Sequence, residues 1–286
     1  MRISDHIHSN EYPASYYAAT CNDTAGFSAL SGDETFDVCI IGGGFSGVAT
    51  ALHLSERGFK VCVVEQNKIG WGATGRNGGH IIGGYAYSMW ENKSKIDSFG
   101  EAGTKALWDM SIECVDIIKN WVEKYNIDCD LEFGFIDVAM KKSELEWLKK
   151  SADTLADRNY PYETKILNKE ELSDYVVSDQ YIGGRTNDGW GQALVLNLVL
   201  GEARAAEKLG ATIYEHAEVS DIIHGARPRV VTKTGTITAD FVVVTGNGYL
   251  GNLVPKLASR VLPAGSYIIA TEPLSDEQIA ATAPKG

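Results

Sequence analysis

From residue 36 onward, apolar positions alternate between short continuous runs and helical repeats. Phe36-Asp37-Val38-Cys39-Ile40-Ile41 reads as a strand, and it runs directly into Gly42-Gly43-Gly44-Phe45-Ser46-Gly47. Val48, Ala51 and Leu52 then follow a helical period up to Arg57, with Gly58 placed to cap the helix. A second apolar run, Lys60 to Val64, stops at Glu65 and completes a strand–turn–helix–strand unit.

Beyond a glycine-rich stretch at 70–84, helical spacing returns. Leu107, Cys114, Val115, Ile118, Trp121, Val122 and Tyr125 recur at three- and four-residue steps, so Cys114 is expected on the apolar face. The pattern predicts a strand from Leu131 to Met140, a helix from Ser143 to Leu155, and a short helix capped by Asn168. A further helix spans Leu194 to Leu209 and closes at Gly210. Strands follow at Ala211–Tyr214, Val219–Ile223, Val230–Thr232 and Phe241–Thr245. A last strand is expected at Ser266–Thr271, with a helix at Ser275–Ala281. The order implies an α/β fold in which a Rossmann-like FAD/NAD(P)-binding domain (36–90 and 190–254) is interrupted by an α+β substrate domain (91–189 and 255–286). An irregular arm, 1–35, precedes both.

Composition narrows the function classes. The 286 residues are 44% hydrophobic and 22% charged, ordinary for a globular chain. Lys and Arg number 26 against 38 Asp and Glu, and the formal charge of −12 disfavours nucleic-acid binding. No run reaches the length of a membrane span, and residues 1–27 lack the apolar core of a secretion signal. The five cysteines form no C-x-x-C pair and suit a reducing compartment, so a cytoplasmic location is expected. No metal-ligand spacing stands out; His6 and His8 read as solvated, and His53, His216 and His224 as structural or exposed.

The glycine turn carries the chemistry. An apolar strand precedes Gly42, Gly44 and Gly47, a helix follows, and the second strand ends in an acid 18 residues beyond Gly47. Gly42 permits the tight turn, Gly44 lets backbone approach a pyrophosphate, and Gly47 lets helix and strand pack closely. The helix start offers N–H groups to phosphates. Glu65 is placed to accept from ribose hydroxyls. This fingerprint suits both NAD and FAD. Gly70 to His80 adds five glycines in eleven residues, with Thr74, Arg76 and Asn77 as donors.

At these residues the chain resembles the FAD-dependent amine oxidases of the D-amino-acid oxidase superfamily, in particular the branch acting on gamma-glutamylputrescine. The likeness rests on Ser15 to Ala19, Gly42 to Gly47, Ile69 to Gly79, Tyr125 to Asp130, Leu196-Asn197-Leu198, and Thr245 to Gly251. It implies that FAD lies along the first turn, at Gly42, Gly44, Phe45, Ser46 and Gly47, with Glu65 and Gln66 at the ribose. Gly72, Ala73, Thr74, Arg76, Asn77, Gly78 and Gly79 would cradle the flavin. Val219 would meet the adenine through its backbone, and Thr245 and Gly246 would end a strand near the ADP part.

The implied reaction oxidises a C–N bond of gamma-glutamylputrescine or a related polyamine, giving an imine, then an aldehyde, with hydrogen peroxide formed from oxygen. Two alternatives stand beside it: a flavin oxidase or dehydrogenase of glycine, sarcosine or D-amino acids, and a non-catalytic FAD-binding fragment needing a partner chain. His80 stands where the family carries a glutamine. It is the candidate catalytic residue, the other reading being that it satisfies a backbone carbonyl. Trp71, Tyr85, Tyr87 and Trp90 could line a substrate passage or fill the core. Family chains continue well past Gly286, so the expectation is a truncated or split product. A C-terminal complementing chain would then complete the substrate domain.

Overall fold

The computed structural model describes residues 9–84, 96, 98–262 and 264–285. The expectations at His6, His8, Tyr85, Tyr87 and Trp90 lie outside them. The chain divides into two compact units, residues 1–79, 121–129 and 194–268, and residues 80–120, 130–193 and 269–286.

The first unit is built on a six-stranded sheet. Its strands are β1 (Glu34–Ile41), β2 (Val61–Val64), β7 (Thr212–Tyr214), β8 (Val219–Ile223), β9 (Arg229–Thr232) and β10 (Thr236–Val244), in the order β7-β2-β1-β10-β9-β8. The first four in that order are parallel, and β9 runs antiparallel to both of its neighbours, β10 and β8. The central strands are continuous apolar runs because both faces are covered: all four residues of β2 and Val38 to Ile41 of β1 are buried. Helix α2 (Phe45–Glu56) buries Gly47, Val48, Ala51, Leu52 and Ser55. Gly58 ends it at a φ of +81°, the left-handed geometry that glycine adopts without cost. Phe36, Cys39, Ile41, Cys62, Val64, Tyr214 and Ile237 form one apolar cluster.

The second unit carries a smaller antiparallel sheet. Its central strand, β6 (Gly183–Gln192), pairs with β4 (Glu132–Ala139), with β5 (Thr164–Asn168) and, at its far end, with β3 (His80–Ile81). The long helix α3 (Gly100–Tyr125) enters this unit, although its last turn, from Trp121, counts with the first. Helix α4 (Lys142–Asp157) packs Leu148 inward.

The structure corrects two expectations and adds a strand the sequence pattern does not predict. Cys114 is exposed; the buried stripe of α3 runs instead through Ser111, Val115 and Trp121. Residues 266–271 form no strand, and Tyr267 and Ile269 are each 92% exposed. An apolar run forms a strand only when a neighbour accepts its backbone bonds, and none is present among the described residues. β6 goes the other way: its sequence, Gly183 to Gln192, is rich in glycine and polar residues, yet it is the buried centre of its sheet. A Cβ at Gly184 would press on the Asp137 carbonyl and one at Gly191 on the Glu132 carbonyl. Glycine is what lets β4 and β6 approach there.

No helix among the described residues is long and apolar enough to cross a membrane. Among those residues no group of three or more His, Cys, Asp or Glu is placed to hold a metal ion.

Candidate cofactor site

The carboxyl ends of β1, β2 and β10 open onto a cleft of about 170 Å³ in the first unit. Open α/β sheets hold ligands at this edge, outside the carboxyl ends of their strands. Gly42, with φ +111°, turns the chain sharply after β1; its N–H donates to the Val64 carbonyl at 2.9 Å. The Thr245 hydroxyl clamps the same bend from β10, within 2.9 Å of the Ile41 carbonyl and 3.0 Å of the Gly42 carbonyl. A Cβ at Gly47 would collide with the Gly42 carbonyl oxygen, so a glycine there is what lets α2 start against the turn.

Gly44 is the N-cap of α2 and supplies no side-chain cap. Of the free N–H groups in the first turn, that of Phe45 donates to Thr74 Oγ1 at 3.1 Å. Gly44, Phe45 and Ser46 line the cleft, so a helix start with no side-chain cap from its own N-cap residue, and with its partial positive charge, faces open space. Glu65 lies across from it. Its Oε2 accepts from the Gly43 N–H at 2.7 Å and its Oε1 from the Asn67 N–H at 2.9 Å. Burial holds the Glu65 carboxyl above its ordinary pKa, against those two backbone bonds. A carboxylate has about four acceptor positions, so capacity for hydroxyl donors remains.

Gly42, Gly44, Phe45, Ser46, Glu65, Gln66, Gly72, Ala73, Thr74, Val219, Thr245 and Gly246 all line the cleft. Gly47 stands behind it. Arg76, Asn77, Gly78 and Gly79 do not line it. Asn77 braces the turn at Ala73–Arg76 instead, donating to the Thr74 carbonyl at 2.8 Å and accepting from the Gly79 N–H at 2.9 Å. Arg76 lies 4.1 Å over the Trp71 ring and donates through Nε to the Trp71 carbonyl; its Nη2 is buried with no partner. His80 belongs to the second unit, exposed, edge-on to Phe135 in the β3–β6–β4 sheet.

Sequence reasoning missed Glu215, a buried carboxylate that accepts from the Phe27 N–H at 3.0 Å and the Ile69 N–H at 2.8 Å. It ties the N-terminal arm to the start of the second glycine loop. The arm adds two more ties, Tyr12 OH to the Ile69 carbonyl at 2.8 Å and Trp71 Nε1 to the Glu11 carbonyl at 3.0 Å. Tyr249 was also missed as a lining group, although it sits within the quoted Thr245–Gly251 motif; its ring packs where a Gly72 Cβ would go, 3.2 Å away.

The cleft passes a physical test for a dinucleotide. It offers backbone donors where a diphosphate needs them, an acceptor beside them for sugar hydroxyls, and glycines where a Cβ would press on Ile69, Glu65 or Thr74.

Comparison with known proteins agrees with this geometry. Residues 37–285 match the family model described as FAD dependent oxidoreductase (DAO). Gamma-glutamylputrescine oxidoreductase of Escherichia coli (strain K12) is 38% identical over 277 residues, covering 96% of this chain and 64% of that protein. A probable oxidoreductase, OrdL, of Haemophilus influenzae is 36% identical and covers 93% and 62%. Among solved structures, glycine oxidase from Bacillus cereus superposes with a TM-score of 0.59 at 26% identity, covering 77% of this chain and 58% of that one. The chain belongs to the DAO family of FAD-dependent oxidoreductases. It spans just under two thirds of the length of these curated relatives.

Proposed function

We propose that the chain binds FAD in the first-unit cleft and serves the oxidation of a C–N bond of an amine, a gamma-glutamylated or simple polyamine. The observation that carries the cofactor reading is the glycine-capped start of α2 facing Glu65 across the cleft. The substrate class is supported by the 38% identity to gamma-glutamylputrescine oxidoreductase.

In this reading the N–H groups of Gly44, Ser46 and Gly47 hold the diphosphate, and Glu65 accepts from ribose hydroxyls. The backbone at Val219 meets the adenine, and the Gly72–Thr74 turn closes over the middle of the dinucleotide. FAD, when bound, supplies a two-electron acceptor that the side chains lack. The protein's part is to orient the two molecules and keep water away. The overall change is RCH2NH2 + O2 + H2O → RCHO + NH3 + H2O2. An alkylamine with a pKa near ~10.4 arrives protonated at neutral pH, so the site must favour its neutral form. Five free cysteines and no membrane-crossing helix among the described residues support a cytoplasmic setting.

The test begins with an absorbance spectrum of the purified chain and of the chain mixed with FAD. Oxidised flavin bands, followed by peroxide release on a panel of polyamines, support the proposal. Peroxide from glycine, sarcosine or D-amino acids alone would redirect the substrate. Yellow but inactive protein that gains turnover with a complementing C-terminal polypeptide would move the activity to a two-chain assembly. Within the cofactor reading, Glu65→Gln should weaken FAD binding by about 1–3 kcal/mol, measured by fluorescence titration. Unchanged affinity would place the ribose elsewhere.

A further inference from the structure

A second cavity, of about 530 Å³, lies wholly within the second unit. Two helix faces form its walls. Trp108, Ser111, Ile112 and Val115 recur at helical spacing on α3, and Trp147, Lys150, Ser151, Thr154 and Leu155 do so on α4. Tyr160, Tyr162 and Trp190 close it. Five aromatic rings around one space form a binding surface for a flat or branched apolar body.

Most of the polar side chains lining the cavity are already bonded within the protein. Ser111 donates to the Trp108 carbonyl at 2.7 Å, and Thr154 to the Lys150 carbonyl at 2.9 Å. Tyr160 donates to Asn187 Oδ1 at 3.0 Å, and Tyr162 to Asp116 Oδ1 at 2.7 Å. Burial pushes both phenols up to about 12, so they stay protonated and uncharged. Ser151 differs from all of these: its Oγ accepts from Arg185 Nη1 at 2.8 Å, which leaves its own proton to donate. Lys150, next to it, makes no ion pair among the described residues. Lys150 and Ser151 therefore place an ammonium and a hydroxyl donor on one turn of α4.

The charges point the same way. Among the described residues no Asp or Glu lines the cavity. Asp116 is held by Tyr162, and Asp137 is paired with Arg185 at 2.6 Å. Three of the lining rings already face protein cations. Lys119 lies 4.1 Å over Tyr162, Arg185 5.2 Å over Trp190 and Arg158 5.5 Å over Trp108. A cationic ligand would meet these charges, and an anion would be attracted by them.

We infer that this cavity is a binding site for a small carboxylate with an aromatic or branched apolar body, its carboxylate held by Lys150 and Ser151 and its body among Trp108, Trp147, Tyr160 and Trp190. The site draws on no residue of the cofactor cleft, so it stands or falls independently of the FAD reading.

The experiment compares indole-3-acetate, indole-3-methanol and tryptamine on the purified chain, by tryptophan fluorescence and titration calorimetry. The acid should bind saturably at one site, and tryptamine at least about tenfold more weakly, one charge-assisted contact being of that order. Lys150→Gln should weaken the acid by about tenfold and leave indole-3-methanol unchanged, with an unaltered thermal midpoint showing that α4 is intact. Ser151→Ala should weaken the acid by a smaller factor. Equal or stronger binding of tryptamine, an acid affinity indifferent to Lys150→Gln, or no saturable binding of the acid would each overturn the inference.

Discussion

Glu202 shows what burial does to a single carboxyl group. It sits in the helix at Val195–Lys208, 3% exposed, with Oε2 unpartnered, and burial alone pushes it up to about 8. The sign follows from linkage. An unfolded chain releases this proton near 4.5, whereas the folded one keeps it until about 8. Folding therefore takes up a proton between those values, and stability falls as pH rises through the window, by at most about 1.4 kcal/mol per pH unit. Urea unfolding at pH 5 and pH 8 should show that loss, and Glu202→Gln should flatten it. A Glu202→Gln profile as steep as the wild type would assign the slope to another group. Gly47→Ala should be costlier, since its Cβ meets backbone that cannot swing away; a loss of about 2–4 kcal/mol in the same assay is expected. The glycine positions and Glu65 were legible in the sequence because spacing alone specifies them. Glu215 was not, because its role comes from Phe27 and Ile69, which only the fold brings to it.

Elements were legible where their own residues supply the burial. β1 and β2 are unbroken apolar runs between turn residues, and Gly58 and Gly210, both at positive φ, mark helix ends where the sequence expected them. β6 was illegible because its burial rests on glycines and on polar side chains satisfied only by distant partners. Arg185 is the clearest case. It is fully buried near the start of β6, donates to Asp137 on β4 and to Ser151 on α4, and leaves its Nε without a partner. A buried pair broken on one side leaves an uncompensated charge. Arg185→Met should therefore destabilise the second unit by about 3–5 kcal/mol in denaturant melts. Arg185→Met combined with Asp137→Leu should recover much of that loss. If the double change is no better than the single one, the ion pair is not what holds β6 to β4.

At the scale of the molecule, charge and exposed apolar surface oppose each other. The formal charge is −12, which keeps copies of the chain apart at low ionic strength. The apolar run that was expected to form a strand at 266–271 instead stands in solvent beside other exposed groups, with Leu262 91%, Tyr267 92% and Ile269 92% exposed. Exposed apolar side chains of this size are attractive for association whatever their partner. Periodicity could show that these residues are apolar, but not whether a neighbouring strand would be there to cover them. The balance should shift with salt, because the screening length falls from about 10 Å at 0.1 M to about 3 Å at 1 M while apolar attraction persists. Light scattering of the purified chain should rise between those salt concentrations. Leu262→Lys with Ile269→Lys should abolish the rise, because it removes the apolar contact and places charge in its stead. Scattering that grows equally in the doubly substituted chain would mean that association proceeds through another surface and that residues 262–269 remain solvated as single chains.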